Sequence, residues 1–319
     1  MNPISRTKTP LPRIGAQVST AGGILNAVHR ATDIGAEVVQ VFSGNPRQWR
    51  SYAYSDEQLE AFAGALQRDK LLLFVHTIYL INIAGPDPVL RDRSSLALAE
   101  GLAFAARTGA AGVVTHVGSH RGDGFEAALP RIREAVLRAQ DMAVASSGTA
   151  DLPPLLLESS AGGGDSVGRD PAELASMLEC LAGSPTPIGL CLDTAHLFAA
   201  GLAVHEPSGL EALVNALSTS GCLDAVRLIH LNDSRTPFGS RSDRHENLGE
   251  GEIGSAGLTH VVRHPAFRTS PFVLEVPGFD GHGPDAENIR RARAMRDGTA
   301  SSPAPTARPA PASSSRRIP

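Results

Sequence analysis

Short apolar segments of this sequence are repeatedly followed by side chains that bind metal ions. Six apolar runs end at, or next to, a histidine, aspartate or glutamate: His76, His116, Glu158, Asp193, His230 and Glu275. Any one of them alone is more often a structural residue. Burying six such groups together without partners would be costly, because ionised carboxylates and imidazoles need compensating charges. The set therefore predicts a metal centre.

Three further candidate ligands lie in short polar motifs. His196 follows Asp193 by three residues in LCLDTAH, and Asp243 and His245 flank Arg244 in GSRSDRH. Side chains two positions apart in an extended segment point the same way, so Asp243 and His245 are expected to hold one ion together. Imidazole and carboxylate donors without thiolates suit zinc, with manganese as a harder alternative.

The elements that position these residues are eight apolar runs, whose starts are separated by roughly 24 to 46 residues. Helical patterns fill the gaps, for example Ala21–Ile34, Asp56–Arg68, Val89–Thr108 and Phe125–Ala145. Such alternation predicts a parallel sheet covered by helices, and eight units favour a closed (β/α)8 TIM barrel over an open doubly wound sheet. The strand carboxyl ends would then form one rim, where barrel enzymes have their active sites. The runs are Ile14–Val18, Val38–Phe42, Leu71–His76, Gly112–His116, Leu155–Glu158, Ile188–Asp193, Val226–Leu231 and Phe272–Val276.

Composition places the chain among single-domain globular proteins of a reducing compartment. Its 319 residues are 42% hydrophobic, enough to bury the core of one barrel. Cys180, Cys191 and Cys222 have no paired spacing, which argues against a disulfide framework. No apolar run approaches the roughly 18 residues of a membrane span. We see no secretory signal and expect a cytoplasmic location.

The two ends of the chain differ from its middle. Residues 1–10 are polar and are expected to form a flexible leader, and residues 11–297 a single barrel domain. Residues 298–319 are rich in Ser, Pro, Ala and Arg and are expected to be a disordered tail. An inert tail is favoured over a DNA tether. One barrel buries its own core, so a monomer is expected.

Several longer segments resemble one enzyme family. They are IGAQVSTAGG, NPRQW, HTIYLIN, THVGSH, LESSAGGG, GLCLDTAHLFAAG, IHLNDSRTPFGSRSDRHENLGEGEIG and VLEVPG. Together they resemble endonuclease IV, the family-2 abasic-site endonucleases, which are trinuclear-zinc TIM barrels. The resemblance extends from about residue 13 to about residue 290. The segment from Ile229 to Gly254 is the most specific part of it.

The resemblance implies a role for each of the nine candidate ligands. His76 and His116 match the histidines of the more exposed zinc, and Glu158 matches the carboxylate that bridges this zinc to a second one. The remaining ligands of the second zinc match Asp193, His230 and Glu275. The ligands of the third zinc match His196, Asp243 and His245. Besides binding metal, Glu275 is expected to orient or deprotonate the attacking water, so Glu158 and Glu275 are the candidate catalytic residues.

The implied activity is hydrolysis of double-stranded DNA on the 5′ side of an abasic site. The products would be a 3′-hydroxyl and a 5′-deoxyribose phosphate, with trimming of blocked 3′ ends as a second activity. The net charge of −4 is unusual for a DNA-binding protein. Three bound divalent cations would reverse its sign.

Damage recognition requires residues other than the metal ligands. Arg47, Tyr79 and Leu80 match family residues that enter the duplex at the lesion, and Gln48 is expected to touch DNA. An abasic nucleotide has lost its stacking, so extruding it costs less than flipping a normal base. Without the resemblance, Tyr79 and Leu80 would be interpreted as ordinary apolar residues after the third strand. Trp49 is expected to pack internally.

The chain departs from the family pattern at a few positions. Gln17 stands where the family usually has His, Ser159 replaces the usual Asn and Ala195 the common Cys. Thr77 and Ile78 replace a polar pair before Tyr79, which we expect to make the approach to DNA more apolar.

Asn232 and Asp233 follow His230 and are expected to fix loop geometry or support the ligands. Gly249–Gly251 is interpreted as a turn rather than a phosphate cradle.

Two rival functions remain. A xylose-isomerase-like barrel would use Glu158, Asp193, His230 and Glu275 for one metal site, but it would leave the other histidines and Asp243 unexplained. A non-catalytic binder of abasic DNA would predict a broken ligand set, whereas all nine ligands are present.

Overall fold

Eight parallel strands close into a barrel in the computed structural model, which describes residues 11–299. The order around the barrel is β1-β10-β7-β6-β5-β4-β3-β2, so the first and last barrel strands pair with each other. This confirms the predicted (β/α)8 barrel and excludes the open sheet. The barrel strands are β1 (Ile14–Gln17), β2 (Val38–Phe42), β3 (Leu72–His76), β4 (Gly112–Thr115), β5 (Leu155–Glu158), β6 (Ile188–Asp193), β7 (Val226–His230) and β10 (Phe272–Leu274).

Helices surround the barrel, and a small antiparallel pair lies at its rim. The pair joins β8 (Asp233–Ser234) to β9 (His245–Glu246). The helices are α1 (Leu25–Asp33), α2 (Asp56–Arg68), α3 (Pro88–Thr108), α4 (Phe125–Ser147), α5 (Pro171–Cys180), α6 (Thr194–Ala200), α7 (Pro207–Thr219), α8 (Gly254–Arg263) and α9 (Ala286–Asp297).

Local sequence explains where two of these helices begin. Ser55 accepts a hydrogen bond from the Gln58 backbone while the Gln58 side chain bonds back to Ser55, which fixes the start of α2 at the predicted position. The helix predicted from Ala21 begins only at Leu25. Gly22 and Gly23 have φ values of +83° and +124°, which a helix cannot contain. They form a turn between β1 and α1.

The apolar core has two parts. Most buried apolar residues pack between the strands and the surrounding helices. A separate cluster contains one residue from each of seven barrel strands and therefore fills the inside of the barrel. Its members are Val38, Phe74, Val114, Leu156, Cys191, Leu228 and Val273.

Three further sequence expectations concern the ends of the chain, membrane spans and cysteine pairing. The predicted leader and tail lie outside the described residues, except for residues 298 and 299. Between residues 11 and 299, none of the helices has the length and apolar character needed to cross a membrane. Cys180, Cys191 and Cys222 are all free thiols.

Candidate metal centre

A ring of polar side chains lies next to the apolar cluster that fills the inside of the barrel. Side chains two positions apart on a strand share a face, so the residue two positions after each member of that cluster also points into the barrel. These residues are Gln40, His76, His116, Glu158, Asp193, His230 and Glu275. The six ligand candidates at strand ends thus form one layer at the carboxyl rim.

Glu158 lies at the centre of this layer and is only 1% exposed. Its Oε2 is 3.1 Å from His76 Nε2 and 3.3 Å from His116 Nδ1, and these three side chains form one group of potential ligand atoms. His116 is the most open member, with 27% of its side chain exposed. This group faces solvent on one side.

A second group shares Glu158 and is more deeply buried. His230 Nδ1 lies 3.0 Å from Glu158 Oε1, 3.3 Å from Glu275 Oε2 and 3.8 Å from Asp193 Oδ2. One ligand atom from each of these four residues lies within 4.8 Å of the others. Glu158 therefore contributes to both groups, as expected of a bridging carboxylate.

The third group combines the end of β6 with the β8–β9 loop. Asp193 caps α6 by accepting a hydrogen bond from the His196 backbone at 2.8 Å, which brings His196 back over the strand end. Asp193, His196 and His245 offer ligand atoms within 4.8 Å of one another. Asp243 adds its two oxygens at 3.2 Å from His196 Nε2 and 3.2 Å from His245 Nε2. All nine candidate ligands thus meet in one continuous cluster.

Backbone carbonyls set the ring orientation of three histidines. Nδ1 of His76 lies 2.7 Å from Thr77 O, Nδ1 of His196 lies 2.8 Å from Ser159 O, and Nδ1 of His245 lies 3.3 Å from Glu275 O. A carbonyl only accepts, so each Nδ1 donates its proton, and in the neutral ring the free lone pair is at Nε2. In all three rings, Nε2 points into the cluster.

Charges within the cluster strongly perturb its titration. Burial alone would raise the pKa of Glu158, but the rings of His116 and His230 hold that pKa well below its usual range. Burial opposes protonation of His245, yet the nearby charges of Asp193 and Asp243 raise the pKa of His245 to about 9. Without a bound cation, the carboxylates therefore favour protonation of four of the five histidines, whereas burial lowers the pKa of the fifth, His116. A divalent cation would take the place of those protons.

Residues behind the ligands hold them in place. Asn232 donates to Asp193 Oδ2 at 2.7 Å and accepts from the Glu275 backbone at 2.8 Å, so it connects two ligands. Ser159, which departs from the family pattern, accepts from the Asp193 backbone at 2.9 Å through its hydroxyl. Ala195, another departure, is buried at the start of α6.

Asp233 binds backbone amides, whereas the candidate ligands near it contact one another's side chains. It is completely buried, and its carboxylate accepts five backbone N–H groups, at 2.9 to 3.2 Å. Two of the donors are Gly249 and Gly251, so these amides bind Asp233. This agrees with the interpretation of Gly249–Gly251 as a turn. Asp233 fixes the loop that leads into α8.

Gln40 belongs to the polar layer but was not among the predicted site residues. Its amide contacts Gln17, Glu275 and His230 at 2.6, 2.8 and 3.0 Å. The signal in the sequence was a single polar residue inside the apolar run VVQVF. Gln17 enters the site only through this contact with Gln40 and by lining a neighbouring cavity.

The candidate DNA-contacting residues lie on the surface around the cluster. Arg47 and Gln48 are exposed, Tyr79 is 50% exposed, and Leu80 is half-buried against the core. The Tyr79 ring stands 6.0 Å from the rings of both His76 and His116. Tyr79 also separates a 470 Å³ cavity, lined by Glu158 and Asp243, from a 430 Å³ cavity lined by Gln17 and Glu275.

Three neighbouring residues face inward. Trp49 is half-buried under the Arg93 guanidinium, 4.7 Å from its ring centroid. Thr77 and Ile78 are 0% and 5% exposed, so the expectation that they make the approach to DNA more apolar is wrong. Strand alternation ends at His76, and the Thr77 side chain instead donates to the Thr115 hydroxyl at 2.9 Å.

Comparison with known proteins first defines the class. A family model described as xylose isomerase-like TIM barrel matches residues 28–297, and the chain belongs to this family. A solved structure titled D-tagatose 3-epimerase-like protein has a TM-score of 0.64 over 90% of this chain and all of its own. Its sequence identity is 14%, so the likeness to that epimerase concerns the fold alone.

Closer relatives define the particular branch. "Probable endonuclease 4" of Nitratidesulfovibrio vulgaris is 36% identical over 285 residues, covering 89% of this chain and 99% of the relative. The crystal structure of endonuclease IV from Thermus thermophilus has a TM-score of 0.77 at 35% identity, over 90% of this chain and all of that one. The chain is therefore a member of the endonuclease IV family, and as such an enzyme of the hydrolase class.

Proposed function

We propose that this enzyme is a zinc-dependent DNA repair endonuclease that hydrolyses the phosphodiester on the 5′ side of an abasic site. The observation that carries the proposal is a set of eight imidazole and carboxylate side chains in three overlapping groups, joined through Glu158 and Asp193, with Asp243 as a ninth side chain beside His196 and His245. A single sugar-isomerase metal site would need only the Glu158, Asp193, His230 and Glu275 group. The other five side chains have a purpose only in a larger centre.

The donor atoms of the site fit divalent cations. Nε2 of His245 is buried and has no hydrogen-bond partner within residues 11–299, although it lies 3.2 Å from Asp243 Oδ1 and 3.5 Å from Asp193 Oδ2. A lone pair held this close to carboxylate oxygens calls for a cation between them. The nitrogen and oxygen donors favour zinc, three per chain, with manganese acceptable in one position.

When bound, the ions would provide a nucleophilic hydroxide at neutral pH and neutralise charge on the phosphodiester. The chain itself orients the reacting groups. Glu158 links the first two groups and fixes their separation. Glu275 offers Oε2 to the cluster while Gln40 holds Oε1 at 2.8 Å, and this carboxylate orients or deprotonates the attacking water.

The surface residues provide recognition of the lesion. Tyr79 and Leu80 are the apolar wedge that fills the gap left by an extruded abasic nucleotide, with Arg47 and Gln48 contacting the DNA beside it. The 470 Å³ cavity next to Tyr79 reaches Glu158 and Asp243, which supports entry of the extruded sugar-phosphate there. Normal nucleotides would have to lose stacking energy to reach the same place.

Further parts of the proposal concern products and surroundings. Cleavage would leave a 3′-hydroxyl and a 5′-deoxyribose phosphate, and the same centre would trim blocked 3′ ends. We propose that the enzyme acts as a monomer, because the rim must remain open to duplex DNA. We further propose the cytoplasm as its location, which follows from the three free cysteines and the reducing compartment they suit.

The decisive experiment uses a duplex with one abasic analogue that resists β-elimination, and an undamaged duplex of the same sequence as control. The expected result is a nick at the lesion alone, with a 3′ end that a polymerase extends. A nick that cannot be extended would contradict the proposed chemistry. Tight binding without a nick, in protein that contains zinc, would instead establish the non-catalytic binder.

A further inference from the structure

Five imidazole rings enter the cluster, and one of them, His230, has a partner of a different kind. His76, His196 and His245 donate Nδ1–H to backbone carbonyls, which leaves Nε2 facing the other ligands. In His230 the ring is reversed, as it is in His116: Nδ1 faces Glu158 Oε1 at 3.0 Å, and Nε2 lies 3.0 Å from the Gln40 side-chain oxygen. A side chain rather than the backbone must therefore fix this ring.

The hydrogen bonds of Gln40 allow only one arrangement. Its Nε2 lies 2.6 Å from Gln17 Oε1 and 2.8 Å from Glu275 Oε1, and its Oε1 faces the His230 ring. An amide oxygen only accepts, so His230 must donate from Nε2. Turning the amide over would set its oxygen against two other acceptor oxygens and its NH₂ against a ring N–H. Both Gln40 donors and its acceptor are satisfied only as observed.

We propose that Gln40 is a positioning residue that makes His230 an Nδ1 ligand and leaves only Oε2 of Glu275 for the metal, with Gln17 holding Gln40 in place. This inference rests on the metal centre proposed above. A neutral ring protonated at Nε2 has its lone pair at Nδ1, within 3.3 Å of Glu275 Oε2 and 3.8 Å of Asp193 Oδ2. Gln40 thus prepares two of the four side chains of the most buried group.

Burial makes this arrangement specific. Gln40 and His230 are both 0% exposed, so water cannot replace a lost hydrogen bond between them without a rearrangement. Gln17, by contrast, lines the 430 Å³ cavity together with Glu275 and His245. The hydrogen bonds from Gln40 to Gln17 and from His230 to Gln40 therefore connect this cavity to a fully buried candidate ligand.

The first test measures the tautomer directly in the zinc-loaded wild-type protein. Nitrogen NMR of the histidine rings, with the His230 signal assigned by its loss in His230→Asn, should show the proton on Nε2 and the metal on Nδ1. A proton on Nδ1 of His230 would overturn the proposal. This measurement requires no Gln40 variant, so it remains decisive even if such a variant does not fold.

The second test measures zinc affinity by chelator competition, with cobalt(II) absorption reporting ligand geometry. Gln40→Met should weaken zinc binding by about 10- to 100-fold, as expected for loss of a residue that orients ligands. Gln140→Met is the matched control, because Gln140 is also buried but lies in α4, where its side chain bonds only Ser184 among residues 11–299. Gln17→Leu should weaken zinc binding by a smaller factor, since Gln40 then keeps its bonds to Glu275 and His230.

The outcomes separate the two proposals. Equal zinc affinity and an unchanged cobalt spectrum in Gln40→Met and Gln140→Met would overturn the role of Gln40 while leaving the metal centre intact. Wild-type protein that binds no zinc or cobalt would overturn the metal centre and this inference with it.

Discussion

Two carboxylates of the rim, Glu158 and Asp233, are equally buried but have opposite surroundings. Glu158 has four imidazole rings within 3.5 Å of its oxygens, and these rings lose or gain protons. Asp233 has five backbone N–H groups, which do neither. The carboxylate of Asp233 is satisfied by the fold itself, whereas the balance around Glu158 changes with whatever cation is present.

The contrast distinguishes a candidate metal ligand from a residue that fixes a loop, within one small region. Burial and charge alone would place both carboxylates in the same category. The nature of the partners distinguishes them: fixed donors indicate a structural anchor, and titratable donors indicate a site that exchanges protons for metal. The same change, carboxylate to amide, should therefore have opposite consequences at the two positions.

The largest effect is expected at Glu158. Glu158→Gln keeps the shape but removes the charge shared by two ligand groups, so several kcal/mol of transition-state stabilisation should be lost. This corresponds to a fall in cleavage rate of about 1,000-fold or more, with reduced zinc content. Cleavage assays and metal analysis measure both. Wild-type cleavage and wild-type zinc content in Glu158→Gln would contradict the assignment of Glu158 to the metal centre.

Asp233→Asn should produce the reverse pattern. Its new NH₂ group would face backbone N–H donors, and buried donors without an acceptor should lower the free energy of unfolding by about 3 kcal/mol. Urea denaturation of the zinc-loaded protein measures this loss. At low temperature the folded variant should retain wild-type zinc content. Asp285→Asn at the half-buried N-cap of α9 is a suitable control, with a smaller loss. Zinc loss without destabilisation would show that Asp233 serves the metals after all.

The pH dependence of metal binding should come from the titratable histidines of the cluster around Glu158. Burial lowers the pKa of His245, but Asp193 and Asp243 raise it to about 9, so the metal-free protein holds a proton there at neutral pH. Zinc binding near pH 7.5 should release protons, and zinc affinity should rise about tenfold per pH unit for each proton released. Calorimetry in buffers of different ionisation enthalpy measures the number of protons released.

The same shift has a definite sign for stability. The raised pKa stabilises the metal-free fold below the unfolded-state value of about 6.5. This contribution disappears as the pH rises through about 9. The backbone amides around Asp233 do not titrate, so they add no proton exchange of their own. Proton release that is unchanged between about pH 7.5 and pH 10 would contradict the titration of the cluster.

The smallest effect is expected at Tyr79 of the proposed apolar wedge, rather than at either carboxylate. Tyr79→Ala should weaken binding of abasic DNA by about tenfold, the scale of one lost stacking contact, while zinc content stays at the wild-type level. Fluorescence anisotropy with lesion-bearing and undamaged duplexes measures the difference. Leu96→Ala, a 47% exposed leucine on α3, is the control that should bind as wild type does. Equal loss for both duplexes would show that Tyr79 does not recognise the lesion.

Much of the fold and of the ligand set could be predicted from the sequence because both follow from local pattern. Apolar runs locate the strands, and ligand-type residues such as His76 and Glu158 stand at their ends. Gln40 could not be recognised in this way, since its partners Gln17, His230 and Glu275 are distant in sequence and glutamine is an uncommon metal ligand. The inward turn of Thr77 and Ile78 depends on where strand alternation stops, which tertiary packing decides.

Closure of the barrel has a consequence for how the protein matures. β10 closes the barrel by pairing with β7 and β1, and Glu275 follows it directly, so the most buried ligand group is complete only when the last strand lies beside β7. Contacts between such distant segments form late, because a long chain must first be brought together. A nascent chain in which β10 has not yet been synthesised therefore lacks the complete ligand group. The proposed zinc centre should therefore be filled at the end of folding rather than at its start.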